Sequence, residues 1–149
     1  MTARARQRMG LGVLLGLFLA VVIPAALLVP RSSSQQGGVI RYVNNADPTC
    51  GGLTPCYATI QAAVNAAQAG DTIQIQAGFY VEQVAIIGKN NTADATEASR
   101  IIIQADPAAA VGSVVLQGAV TQCTSGFAIR LQQSKFITIR GLTITGAGG

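Results

Sequence analysis

The chain of 149 residues contains no histidine and no tryptophan, and only 11% of its residues are charged. Without histidine, and with cysteines at the wrong spacing for a C-x-x-C site, a Cys/His metal centre is disfavoured. Without tryptophan, the exposed aromatic platform that usually signals carbohydrate binding is missing. Tyr42, Tyr57, Phe79, Tyr80, Phe127 and Phe136 are expected to pack in the core or under a cap. The net charge of +4 is also thinner than it looks. Arg4, Arg6 and Arg8 lie at the N-terminus, and setting residues 1–30 aside leaves seven Lys/Arg against six Asp/Glu. A nucleic-acid binder keeps a clustered basic face, and this remainder has none, so no nucleic-acid partner is expected.

What the chain does have is one long apolar run, Leu11–Val29, preceded by the three arginines and followed by Arg31. A basic n-region before an apolar h-region is the pattern of an export signal. As a helix the run would rise about 28 Å, close to the thickness of a bilayer core, so an uncleaved signal anchor stays open beside a cleaved signal. Either way the arginines stay inside, and the domain is secreted or held at the cell surface. Residues 31–38 (RSSSQQGG) read as a flexible tether. In that oxidising compartment Cys50 and Cys56, in CGGLTPC, are expected to pair, which stabilises by roughly 2 kcal/mol in the chain-entropy picture. Cys123 is left over and reads as a small buried hydrophobe or as a thiol paired outside the chain.

Beyond the tether the period of the apolar residues changes twice. VIRYV (39–43) is a short β-rich run. Ile60, Ala63, Val64 and Ala67 then fall on one helical face, with Thr59 as N-cap, Gly70 at the helix end and Asp71 in the following turn. Ala62 stands where a capping box would place Glu or Gln. After Asp71 only short strands and turns follow. TIQIQ (72–76), RIIIQ (100–104) and AIRLQ (128–132) recur every 28 residues, and AII (85–87), SVV (113–115) and GLT (141–143) keep the same phase. A fixed period in this range marks a repeat architecture. FITIR (136–140) interrupts the period, and GKNNTADATEAS (88–99) reads as a surface excursion. Gln76, Gln104 and Gln132 end equivalent strands, either as a stacked amide ladder or as exposed polar strand ends.

The segment YVNNADPTCGGLTPCYATIQAAVNAAQAGDTIQIQAGFYVEQVAI (42–86) resembles the opening of pectin-lyase-like right-handed parallel β-helix proteins. The residues carrying the likeness are Thr59-Ile60-Gln61, Ala63-Val64, Ala66-Ala67, Gly70-Asp71-Thr72-Ile73, Ala77-Gly78, Tyr80 and Glu82, joined by FITIRGLTITG (136–146). The resemblance implies an all-β parallel solenoid with a capping segment over 39–71 and rungs over 72–149. A solenoid end must be closed against solvent. The helix after Thr59 suits the N-terminal mouth, whereas GLTITGAGG offers no closing element. An incomplete chain, or a product that needs further rungs, is therefore expected, with either low stability or self-association through the open C-terminal end.

On chemistry the resemblance is weak, because many functions share such scaffolds. The resemblance implies that lyases and epimerases of this kind need carboxylates holding a cation and an Arg or Lys base, and hydrolases paired carboxylates. Here Asp47, Asp71, Glu82, Asp94, Glu97 and Asp106 form no D-D or D-x-D pair. Asp71 and Glu82 match family positions read as structural. Arg130, Lys135 and Arg140 are the candidate contacts to an anionic glycan, against a plain reading as solvated strand residues. No catalytic, cofactor or metal residues are assigned. The expected function is an exported β-helix protein that contacts polysaccharide without turning it over. The alternative is a lyase, hydrolase or epimerase whose active site lies beyond residue 149, and a third reading makes the β-helix a spacer on a membrane anchor.

Overall fold

The computed structural model of the chain describes residues 37–118 and 126–146. The apolar run Leu11–Val29, most of the tether and Cys123 lie outside the described residues. Ten strands follow the alternating β-branched runs: β1 (Ile40–Val43), β2 (Cys56–Tyr57), β3 (Thr72–Ile75), β4 (Gly78–Val81), β5 (Val84–Ile87), β6 (Ile101–Ala105), β7 (Val114–Gln117), β8 (Ile129–Gln132), β9 (Ile137–Arg140) and β10 (Thr143–Thr145). One α-helix, α1 (Ile60–Ala66), precedes β3. No helix among the described residues is long and apolar enough to cross a membrane.

Every strand pairing is parallel. The strands form a five-stranded sheet in the order β2-β1-β3-β6-β9, a three-stranded sheet β10-β7-β4, and a pair β5-β8. From β3 onward the chain visits these three sheets in a constant order, as β3-β4-β5, then β6-β7-β8, then β9-β10. Alternation decides which side chains face inward. Ile73, Ile75, Tyr80, Val84, Ile86, Ile101, Ile103, Val114 and Leu116 form one buried cluster fed by all three sheets.

The 28-residue phase survives in one place and fails in the others. Thr143 opposes Val115, 28 positions apart. RIIIQ, however, pairs with FITIR through Ile101↔Ile137, and AIRLQ pairs with VAII through Val84↔Ile129. The run that seemed to interrupt the period is thus the true neighbour of β6. Both runs carry the same apolar alternation, so pattern alone could not choose between them. The amide ladder fails with the phase: Gln76 accepts from Asn44 Nδ2, Gln104 from Arg140, and Gln132 from Arg130. The in-register amides are instead Gln74 and Gln104. Phe79 is exposed rather than packed in the core, because Tyr80 takes the inward position of β4.

Helix α1 forms where expected, with Thr59 Oγ1 accepting from the Ala62 amide. It ends at Ala66, earlier than its apolar face suggested, because Ala67 turns extended. Gly70 does take the left-handed conformation, at φ 87°, in the turn that leads to β3. The missing capping-box acid is supplied from far along the chain. Glu82 accepts from the Ile60 and Gln61 amides at 2.9 Å each, satisfying two orphan donors of the first turn. The Gln61 side chain in turn accepts from the Ala85 amide and donates to the Ala85 carbonyl, so one side chain acts as a strand neighbour for β5. Cys50 and Cys56 are joined by a disulfide, with Cα atoms 5.7 Å apart.

Asp71 shows the same economy. Its carboxylate is only 3% exposed and accepts from the Val39 and Gln68 amides and from Arg41 Nε. Arg41 lies in the column Arg41–Ile73–Ile103–Ile139, the position of an apolar residue in every later strand. It also donates to the Tyr57 hydroxyl at 2.9 Å. The first strand therefore ends the apolar column with a satisfied ion pair under the helix.

Two predictions follow from this packing. In the column Tyr80–Leu116–Ile144, Leu116 is fully buried but Ile144 is 51% exposed. Leu116→Ala should cost about 2–5 kcal/mol in urea unfolding and Ile144→Ala about 1 kcal/mol or less, and equal costs would contradict the register. Glu82→Ala should cost about 1–3 kcal/mol, because two amide donors lose their acceptor, and a neutral result would remove its capping role.

Candidate functional site

The five-stranded sheet presents one outward column that runs Tyr42–Gln74–Gln104–Arg140. Beside it stand Thr72, Ile102 and Thr138. Past Gln104 the chain leaves β6 through Asp106 and Pro107 into the loop that leads to β7. Asp106 Oδ1 accepts from the Ala108 amide and its carbonyl from the Ala109 amide, a turn in which the following proline is at home. Between this loop and the end of β9 lies an open cavity of about 390 Å³, lined in part by Ala105, Pro107, Ala109, Ala110, Val111 and Arg140.

Arg140 is held in place. Its Nε and Nη2 donate to Gln104 Oε1, at 2.9 and 2.6 Å. Those two bonds use one edge of the guanidinium and leave Nη1 and the outer hydrogen of Nη2 free for a planar acceptor. Among the described residues Arg140 makes no ion pair, and the only acid on the cavity wall, Asp106, spends an oxygen on its own loop. Gly141 follows at φ 74°, and a Cβ there would stand 3.1 Å from the Ala105 Cβ. Its lack of a side chain lets β9 close on β6 beside the cavity.

The three basic residues singled out from the sequence do not share a face. Arg130 belongs to β8, in the two-stranded sheet, where it donates to Gln132 Oε1 and lies 6.0 Å from the centre of the Phe127 ring. Lys135 sits in the turn before β9 and donates to the Thr92 carbonyl. Only Arg140 reaches the cavity. Its anchor, Gln104, is 36 positions away, a spacing that the 28-residue phase hides.

Four of the acids, Asp47, Asp71, Glu82 and Asp106, accept from backbone amides. Asp47 accepts from the Thr49 hydroxyl and from the Thr49 and Gly51 amides, bonds that hold it below the usual aspartate range. Glu97 pairs with Arg100, and Asp71 and Glu82 hold the cap. Among the described residues no three His, Cys, Asp or Glu gather as a metal centre would require.

Lys89 is a cation that sequence reasoning passed over. Its Nζ donates to the Asn65 and Ala67 carbonyls at the C-terminal end of α1. Burial, and then the nearby Arg41, hold its ammonium below the usual lysine range, with Asp71 pulling the other way. No sequence signal marked it, because a lysine in a polar loop is ordinarily solvated. In comparisons of the chain with protein families, curated proteins and solved structures, no match is found.

The Lys89 shift has a signed consequence. The unfolded chain keeps this proton to higher pH than the native one, so stability should rise with pH between the depressed native value and 10.5. The Tyr80 phenol, raised mainly by burial, works in the opposite direction. Urea midpoints of wild type and Lys89→Met between pH 8 and 11 isolate the lysine. The midpoint of wild type relative to the variant should climb across this range, and a flat difference would refute the shift.

Proposed function

We propose that residues 39–146 are a segment of an exported right-handed parallel β-helix, a non-catalytic scaffold that lays the outer face of its five-stranded sheet against polysaccharide. The observation that carries this reading is the constant order in which the chain visits three parallel sheets, with no α-helical crossover after β3 among the described residues. Parallel strands otherwise need long crossovers, usually helical, and stacking successive strands around one core removes that need. The likeness of residues 42–86 to pectin-lyase-like proteins points the same way. In support, among the motif residues Thr59 caps the helix, Gln61 and Glu82 tie it to the strands, and Asp71 and Tyr80 hydrogen-bond around the first strands.

Secretion is supported by the disulfide, which persists in oxidising compartments. A role without turnover is supported by the occupation of five of the six acids: Asp47, Asp71, Glu82, Glu97 and Asp106 accept structural hydrogen bonds. Of the three basic candidates, Arg140 is carried into the proposal, since it shares the column with Tyr42, Gln74 and Gln104. A tyrosine, two amides and a guanidinium in one row offer a shallow ring-stacking and hydrogen-bonding surface to a linear chain of sugars.

Affinity electrophoresis through gels containing soluble neutral or acidic polysaccharides tests the proposal. At least one polymer should retard the full chain, the double variant Tyr42→Ala/Gln74→Ala should lose the retardation, and no new reducing ends or unsaturated products should appear. Free migration in every gel would dismiss polysaccharide contact, and product formation would dismiss the non-catalytic role.

A further inference from the structure

We infer that the cavity between β9 and the 106–112 loop is a binding site for a small aliphatic carboxylate, a ligand class that goes beyond polysaccharide contact. The two halves of the site specify the two halves of the ligand. The apolar part of the lining is Ala105, Pro107, Ala109, Ala110 and Val111. Such a surface has no hydrogen bonds to exchange with the hydroxyls of a sugar ring, whereas an alkyl chain gains from leaving water there. At about 390 Å³ the cavity falls at the small end of ligand pockets.

The polar end of the ligand is set by Arg140. Gln104 Oε1 takes the Nε and Nη2 hydrogens of one edge, so the guanidinium plane is fixed before any ligand arrives. A guanidinium held in one plane loses less freedom on binding than a mobile one, and its outer fork matches a carboxylate. The charge is available, since no carboxylate among the described residues pairs with Arg140. Asp106 lines the same cavity, but its Oδ1 is turned to the Ala108 amide, 2.8 Å away. Val111 is fully exposed at the edge of the cavity, where its side chain is open to an alkyl chain.

The test is a titration of isotope-labelled full-chain protein with hexanoate, hexan-1-ol and galacturonate, followed by the amide resonances of Ala105, Ala110 and Gly141. Hexanoate should shift all three saturably, and hexan-1-ol and galacturonate should each bind at least about tenfold more weakly, for want of the charge or of the alkyl chain. Arg140→Gln and Arg140→Lys should both weaken hexanoate about tenfold, because lysine keeps the charge and loses the fork. Val111→Asp should weaken it as well. Both positions are exposed, so unchanged resonances elsewhere show that the fold is intact. Equal binding of hexan-1-ol, tighter binding of galacturonate, full retention in Arg140→Lys, or no shift with any probe would each overturn the inference.

Discussion

The structure depends on closing one end of an apolar interior. Three sheets of parallel strands turn isoleucine, valine and leucine toward a common core, and where the first strand begins, that core would meet water. Two carboxylates prevent this. Asp71 gathers the Val39 and Gln68 amides and the Arg41 guanidinium, and Glu82 gathers the Ile60 and Gln61 amides. Helix α1 is thereby held against β1, β2, β3 and β5, with Ile60, Ala63 and Val64 buried. A seven-residue helix has little stability of its own, so its order comes from these contacts and from packing.

Burying the Arg41–Asp71 pair need not stabilise the fold in net terms, because desolvating two charges opposes their attraction. Its effect is better seen as specification. The Arg41 column is apolar in β3, β6 and β9, and an arginine at its start can be satisfied only where Asp71 and Tyr57 meet it. A strand slipped by one position would turn Arg41 to the outer face, and one slipped by two toward Ile75 would leave that charge unpaired among isoleucines. The pair thus defines the register from which the later strands are counted.

The opposite end has a different character. Leu131 and Ile144 extend inward columns whose earlier members are buried, yet both are about half exposed. The cavity beside Arg140 lies toward the same end, at the edge of β9. Polar groups there are arranged for the outside: Gln104 orients Arg140 instead of satisfying the backbone. The same residue types, an amide and a guanidinium, seal the fold at one end as Gln61 and Arg41 and remain available at the other.

Much of this was legible in the residues alone. Thr59 as a cap, the apolar face of α1, the left-handed Gly70, the pairing of Cys50 with Cys56 and the strand character of nearly every run after Asp71 all rest on local rules, which act within a few residues and leave their mark in spacing. What tertiary structure decided is which strand lies beside which. RIIIQ, AIRLQ and FITIR have the same alternation and nearly the same composition, so any two of them could pair as well as any other. In the folded chain FITIR lies beside β6 and AIRLQ beside β5. The cavity followed from that choice, since Gln104 meets Arg140 through strand pairing across 36 positions of chain, a contact that no local pattern encodes.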